Sequence, residues 1–539
     1  MKVRTSLNPT LCLLFAFGVT GEAMASGFDA KTVPLEHPAN GQLLKLNNNP
    51  TLLVTGHNSE YRWLSAVDLT NNKARQLAIP QKAQFFQQAN LAGFSGGQLV
   101  VLSTEGVLHY QPAKDTGKPL TTQNSLILQT DSEHNNTEKA PLLPHQDAAV
   151  GANGAGGESG GKGETGEWRS LFTSSSLYRV VDTKRLKLLD FSFDFNNDNL
   201  SDFLLPDFNA YQLWMQQQDG SFRHFNLPID SQMQAFDQDP TYIARKPWLA
   251  DINLDGNTDI AFAKDDTLLV FYQQADGSFA TTPQQLALGL GLTPDNQAQL
   301  RGGDGRSYQG LKISRLERLA DINGDGVTDL VVQQQFYVDA MEQNYSYHIH
   351  YGEKTAGGVQ FSAQPQQKIN TSGVQFDVRF VDLDNDNKLD FYTPAAQIGV
   401  RSIIRALVAG TANVELQFYK QQPDGSFGNK AVYQQDVTVE ISIGNGSVNM
   451  PLATVLKTNQ GQSMLVVGDG DNTLRSYGPV AAKIFSEKST KQQLPMPKRG
   501  MEALVADLNN DGKEDLVLPY GSQENQPELN NQLQLLWQQ

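Results

Sequence analysis

Five nine-residue stretches of this chain place oxygen-bearing side chains at alternate positions. They read "DFNNDNLSD" (194–202), "DINLDGNTD" (251–259), "DINGDGVTD" (321–329), "DLDNDNKLD" (382–390) and "DLNNDGKED" (507–515). Aspartate stands at positions 1, 5 and 9 of each, and Asp or Asn at position 3. Position 6 is Gly in three and Asn in two, the residues that best tolerate a left-handed backbone. Side-chain oxygens at 1, 3 and 5, a backbone carbonyl at 7 and a carboxylate at 9 can wrap a hard cation. Calcium accepts six to eight oxygens in a flexible shell, whereas magnesium demands a tighter octahedron, so calcium is the expected ion, at about five sites.

The expected ligands are Asp194, Asn196, Asp198, Leu200 and Asp202 in the first loop and Asp251, Asn253, Asp255, Asn257 and Asp259 in the second. Asp321, Asn323, Asp325, Val327 and Asp329 follow in the third, and Asp382, Asp384, Asp386, Lys388 and Asp390 in the fourth. The fifth offers Asp507, Asn509, Asp511, Lys513 and Asp515, and at position 7 of every loop only the carbonyl is used. An EF-hand is excluded. Its closing Glu at position 12 is replaced by Leu205, Phe262, Val332, Thr393 and Leu518, and the flanks "IAFA", "LVV" and "LVLP" have strand rather than helix character. An ion-free Asp/Asn/Gly hairpin is the plain alternative for one loop. Five copies with one ligand spacing favour the metal.

The loops must be held by a repeated element. Their first aspartates fall at 194, 251, 321, 382 and 507, so the last interval spans two units and one repeat near 440–500 lacks its acidic loop. A period of this size indicates a propeller or solenoid. "QLWMQQQDGSF" (212–222), "LVFYQQADGSF" (269–279) and "LQFYKQQPDGSF" (416–427) each read as strand, Asp-Gly turn and strand. One unit is therefore strand, acidic turn, apolar strand, third strand, hairpin and fourth strand, which is a propeller blade. The expected fold is all-β: a propeller of four-stranded antiparallel blades starting near 41, 88, 185, 243, 311, 376, 437 and 500, eight in number with seven the alternative. The chain stops in a partial copy, "LQLLWQQ" (533–539), and "SGFDAKTVPL" (26–35) resembles the missing fourth strand, so an N-terminal strand is expected to complete the last blade.

These loops resemble the calcium-binding blades of FG-GAP/VCBS-type repeat proteins, related to the propeller of the integrin α subunit. The likeness covers roughly 185–430 and 500–539, although no Phe-Gly…Gly-Ala-Pro signature is evident. It implies a β-propeller, structural calcium and a role in adhesion or ligand binding.

Residues 1–25 read as a secretory signal peptide: two basic residues, the apolar run "LCLLFAFGVTG" and "AMA" before Ser26. The expected mature protein is one propeller domain, 26–539, secreted or periplasmic, with 148–167 a flexible Gly-rich insertion. Cys12, the single cysteine, leaves with the leader, so disulfides cannot brace an exported chain, and core or metal must. The formal charge of −16 disfavours nucleic acid as a partner, and 16 aspartates at the odd loop positions account for nearly all of it.

Other constellations are weaker. "GGESGGKG" (156–163) mimics a phosphate loop but has Gly163 after Lys162 and no strand before it. His348 and His350 share one strand face and can bind a transition metal or transfer protons, although a polar strand face accounts for them as well. Trp214, Phe271, Tyr272, Phe418, Tyr419 and Trp537 recur at matching repeat positions, as blade core or as a sugar-stacking surface. The expected function is a non-catalytic scaffold for a protein or carbohydrate ligand at the cell envelope. A polysaccharide lyase or hydrolase using His348 and His350 is the alternative.

Overall fold

The second strand of each blade sets the architecture. Asp202–Pro206 and Asp515–Pro519 are buried along their whole length, and Asp259–Lys264, Asp329–Tyr337 and Asp390–Ala396 over most of theirs. A strand covered on both faces reads as a continuous apolar run, and each acidic loop leads directly into such a run. The computed structural model describes residues 27–112, 166–236, 239–295, 297, 307–338, 342–371, 373–375, 378–396, 408–442, 447–480, 483–522, 524 and 526–539. The expected signal peptide lies outside the described residues. So does the expected insertion at 148–167 except for its last two residues, of which Glu167 opens the strand Glu167–Thr173.

Among the described residues, eight sheets of four or more strands succeed one another along the chain, antiparallel except where Lys187–Leu188 adds parallel to the second. Blade 1 is Leu43–Lys45, Thr51–His57, Arg62–Asp68 and Lys73–Leu77; blade 2 is Ala83–Ala89, Gln98–Ser103, Gly106–Gln111 and Glu167–Thr173. Blade 3 is Ser192–Phe193, Asp202–Pro206, Tyr211–Gln216 and Phe222–Leu227; blade 4 is Pro247–Ala250, Asp259–Lys264, Thr267–Phe271 and Gln284–Ala287. Blade 5 is Lys312–Ala320, Asp329–Tyr337, Gln343–His350 and Gln367–Thr371; blade 6 is Arg379–Val381, Asp390–Ala396, Thr411–Tyr419 and Tyr433–Ser442, with short strands at its edges. Blade 7 is Ala453–Lys457, Ser463–Gly468, Thr473–Tyr477 and Thr490–Gln493. Blade 8 is Leu504–Ala506, Asp515–Pro519 and Gln532–Gln538, and its fourth strand is Phe28–Pro34.

The count is eight, not seven. Phe28–Pro34 pairs antiparallel with Gln532–Gln538 in the register Val33↔Leu533. Eight apolar clusters each join two successive blades. One of them sets Val33, Val517, Leu533 and Leu535 of blade 8, with Leu35 just beyond, against Leu43, Leu52 and Val54 of blade 1. The ring is closed by packing as well as by the added strand.

One boundary departs from expectation. Blade 7 starts at Ala453 rather than near 437, because Tyr433–Ser442 pairs with Thr411–Tyr419 from Phe418↔Tyr433 to Thr411↔Glu440 and so extends blade 6. Alternating Val437 and Val439 are buried there, a pattern that reads equally as the start of a new blade.

Candidate metal centres

Each acidic loop is the turn between the first and second strands of its blade, in blades 3, 4, 5, 6 and 8. Propeller topology puts all such turns on one face. The 251–259 loop shows how it is wound. Asp251 Oδ1 accepts the N–H of Asp255 at 3.1 Å and Oδ2 that of Gly256 at 2.9 Å. Asn253 Oδ1 accepts from Asp255 N–H at 3.0 Å, and Asp255 Oδ1 from Asn257 N–H at 2.8 Å. The side chains at positions 1, 3 and 5 thus converge on the inside of the turn. Equivalent bonds to the first aspartate recur in the other four loops.

Position 6 is left-handed in all five, from φ 63° at Asn387 to 89° at Gly256. Position 4 is left-handed too: Asn197, Leu254, Gly324, Asn385 and Asn510 have φ between 56° and 74°. Asn or Gly at four of these five positions was the available signal for that second reversal.

The aspartate at position 9 is different in kind. Asp202, Asp259, Asp329, Asp390 and Asp515 are fully buried. One oxygen accepts the N–H of position 2 (Phe195, Ile252, Ile322, Leu383, Leu508) at 2.8–3.2 Å. The other accepts an N–H from the end of the third strand: Gln216, Gln273, Gln421 and Gln538, or Gly352 in blade 5, at 2.8–3.0 Å. Burial pushes these carboxyls up, to about 7 at Asp202 and Asp390 and about 6 at Asp259, Asp329 and Asp515. The backbone donors oppose that rise, and neighbouring loop aspartates add to it. A buried carboxylate beside further loop aspartates is favoured in its charged form by a counter-charge.

The blade 6 loop offers the fullest donor set. Carboxylate oxygens of Asp382, Asp384 and Asp390 lie within 4.8 Å of one another, and Asp384 Oδ1 is buried without a hydrogen-bond donor among the described residues. Lys420 pairs with the other Asp384 oxygen. Hard oxygens in this number and spacing fit a calcium-type ion, with Asp382, Asp384, Asp386 and Asp390 as the groups that would hold it.

The glutamine at the end of the third strand was overlooked in the sequence. Gln273 Nε2 reaches the Phe195 carbonyl of blade 3 at 2.9 Å, and Gln216, Gln421 and Gln538 likewise reach carbonyls in the turn of the preceding blade. It stands at the same place in "MQQQDGSF", "YQQADGSF" and "KQQPDGSF", so the repeat did display it. Lysines at the turns of blades 1 and 7 were also overlooked. These turns are shorter, and their first strands end in Lys45 and Lys457, where the acidic loops have an apolar residue followed by aspartate. Lys45 Nζ donates to the Leu46 carbonyl at 2.9 Å, and Lys457 Nζ to the carbonyls of Gly461 and Asp382. At blade 7 an ammonium thus meets the acidic loop of the preceding blade.

His348 and His350 lie on the third strand of blade 5. His350 is buried with Nδ1 2.8 Å from the Ser362 carbonyl, and His348 Nε2 lies 3.1 Å from Ser346 Oγ. Neither belongs to a group of three potential ligands among the described residues. Phe271, Phe418 and Tyr419 are buried blade core, and Trp214 stacks between Phe172 and His224 at 4.5 and 4.3 Å.

Residues 321–393 match the sequence model of the FG-GAP-like repeat, and this segment, from the blade 5 loop through the blade 6 loop, is such a repeat. No curated protein matches the chain. Among solved structures, an Agrocybe aegerita lectin described with non-reducing terminal N-acetylglucosamine is 12% identical, with 95% of this chain and 96% of that one covered and a TM-score of 0.42. A protein from Lactobacillus plantarum is 10% identical over 87% of this chain and 97% of its own, with a TM-score of 0.31. The V. cholerae biofilm matrix protein Bap1 is 12% identical over 93% and 76%, with a TM-score of 0.22. Among the described residues, no helix is long and apolar enough to cross a membrane.

Proposed function

We propose that this chain is an exported, calcium-stabilised propeller that acts as a non-catalytic scaffold, binding a protein or carbohydrate ligand at the cell envelope. The observation that carries the calcium reading is the blade 6 loop, where three carboxylates converge and Asp384 Oδ1 is buried with no donor among the described residues. The same winding in four further loops extends the reading to about five ions. The scaffold reading draws on the FG-GAP-like repeat and the role that resemblance implies. The leader-like residues 1–25 support export to the periplasm or beyond.

Calcium sites of extracellular modules commonly have dissociation constants of about 10⁻⁴–10⁻³ M. A chelator should therefore lower the melting temperature and millimolar calcium restore it. A melt unchanged by chelator overturns the calcium reading. Release of reducing or unsaturated ends from a polysaccharide panel overturns the non-catalytic one.

A further inference from the structure

The first strands of blades 5 to 8, with Lys246 at the head of the first strand of blade 4, line an open cavity of about 620 Å³. First strands face the propeller axis, so this is an axial cavity, remote from the outer edges of the blades. Its charge runs against that of the chain. Lys246, Arg318 and Arg379 line it against Glu317, while a further pair, Lys457 and Glu514, cancels. The lining is thus cationic by two charges in a protein of formal charge −16.

Backbone geometry builds this lining. Neighbours on a regular strand face opposite ways, yet Glu317 and Arg318 both reach the cavity. The reason is a β-bulge: the register with Asp329–Tyr337 shifts between Leu316 and Arg318. Arg318 Nε is buried and donates to no group among the described residues. Lys246 Nζ lies 3.8 Å above the Trp248 ring, which holds the ammonium in place. Burial and the neighbouring Arg318 lower the Lys246 pKa, and Glu317 opposes that shift. Phe380, Leu452 and Met450 supply an apolar wall to the same cavity. An excess of cations beside an apolar wall supplies the parts of a small-molecule site for an anion.

We propose that the axial cavity binds a small organic dianion with an apolar body, its carboxylates held by Arg318 and Lys246. This goes beyond the scaffold reading, and its readout is independent of the calcium melt. The probe is phthalate, titrated calorimetrically into the intact protein and followed by tryptophan fluorescence. One equivalent should bind, and Arg318→Gln or Lys246→Gln should weaken it at least about tenfold, the loss of one charge-assisted hydrogen bond. Arg318→Lys should retain part of the affinity. Benzamide, which has the ring without the charge, and sulfate, which has the charge without the ring, should bind more weakly. No binding of phthalate, undiminished binding by both Gln variants, or equal affinity for benzamide or sulfate overturns the proposal. Phthalate-soaked crystals of the unaltered protein give a test free of variant folding: carboxylates at Arg318 support the site, and a ring bound elsewhere refutes it.

Discussion

Within each acidic loop, the nine residues divide between two tasks. Positions 1, 3 and 5 turn oxygens inward, while position 9 is buried and ties the loop to the third strand through two backbone N–H groups. That division was half legible. The spacing marked every aspartate as a ligand, but nothing local tells a buried hub from an exposed donor, since burial depends on the third strand arriving from far along the chain. Leu254 is the misfit, a leucine at φ 61° where the other loops use Asn or Gly. A left-handed L-residue costs about 1–2 kcal/mol, so Leu254→Asn should raise the unfolding free energy by about 1 kcal/mol, measured by denaturant titration. His109 gives a pH test. It is buried against Phe94, its Nε2 has no hydrogen-bond partner among the described residues, and burial, with Arg169 adding to it, lowers its pKa to about 4. Between about 6.5 and 4 the unfolded chain therefore binds the proton that the native one refuses, and stability is lost as pH falls through that window. His109→Leu should lose on the order of 1–2 kcal/mol less between about pH 7 and 5 than the unaltered protein, with both followed by the same denaturant titration.

At the level of the blade, neighbouring turns are stitched together. Leu389 N–H donates to the Ile322 carbonyl at 2.9 Å, Ser463 N–H to that of Leu383 at 3.0 Å and Glu514 N–H to that of Lys457 at 3.0 Å, each from one blade to the one before. The third-strand glutamines add a side-chain bond across the 3–4, 5–6 and 7–8 seams. Gln273→Ala should cost about 1–3 kcal/mol, because the buried Phe195 carbonyl loses its donor. Hydrogen exchange should speed up at the blade 3–4 seam more than at distant blades; a uniform change across the ring would refute the stitch. The blade itself was legible because the Asp spacing and the Asp-Gly hairpins repeat together. The start of blade 7 was not, since its turn is shorter and has no aspartate ladder, and the valines of Tyr433–Ser442 alternate as a new blade would.

The whole molecule is a ring in which Phe28–Pro34 and Gln532–Gln538 meet in one sheet, and that closure is its most exposed dependency. Phe28 packs into the cluster between blades 7 and 8, and Val33 and Leu35 into the cluster between blades 8 and 1. Gln492 of blade 7 adds a reciprocal pair, accepting the Phe28 N–H at 3.0 Å and donating to its carbonyl at 2.8 Å. The need for an added strand was legible because the last repeat stops one strand short, whereas the double anchoring was not, since Gln492 carries no mark in the sequence. Removing residues 27–35 would expose the edge of Gln532–Gln538 and forfeit the burial of three apolar side chains, roughly 5–9 kcal/mol. That is comparable to the whole stability of an ordinary domain. The shortened protein should therefore melt far lower or associate through the bare edge, as read by scanning calorimetry and size-exclusion chromatography. A peptide of residues 27–35 added in trans should restore the monomer and its melt. If the shortened chain instead stays monomeric with an unchanged melt, the ring is held by its blade seams alone and the N-terminal strand is dispensable.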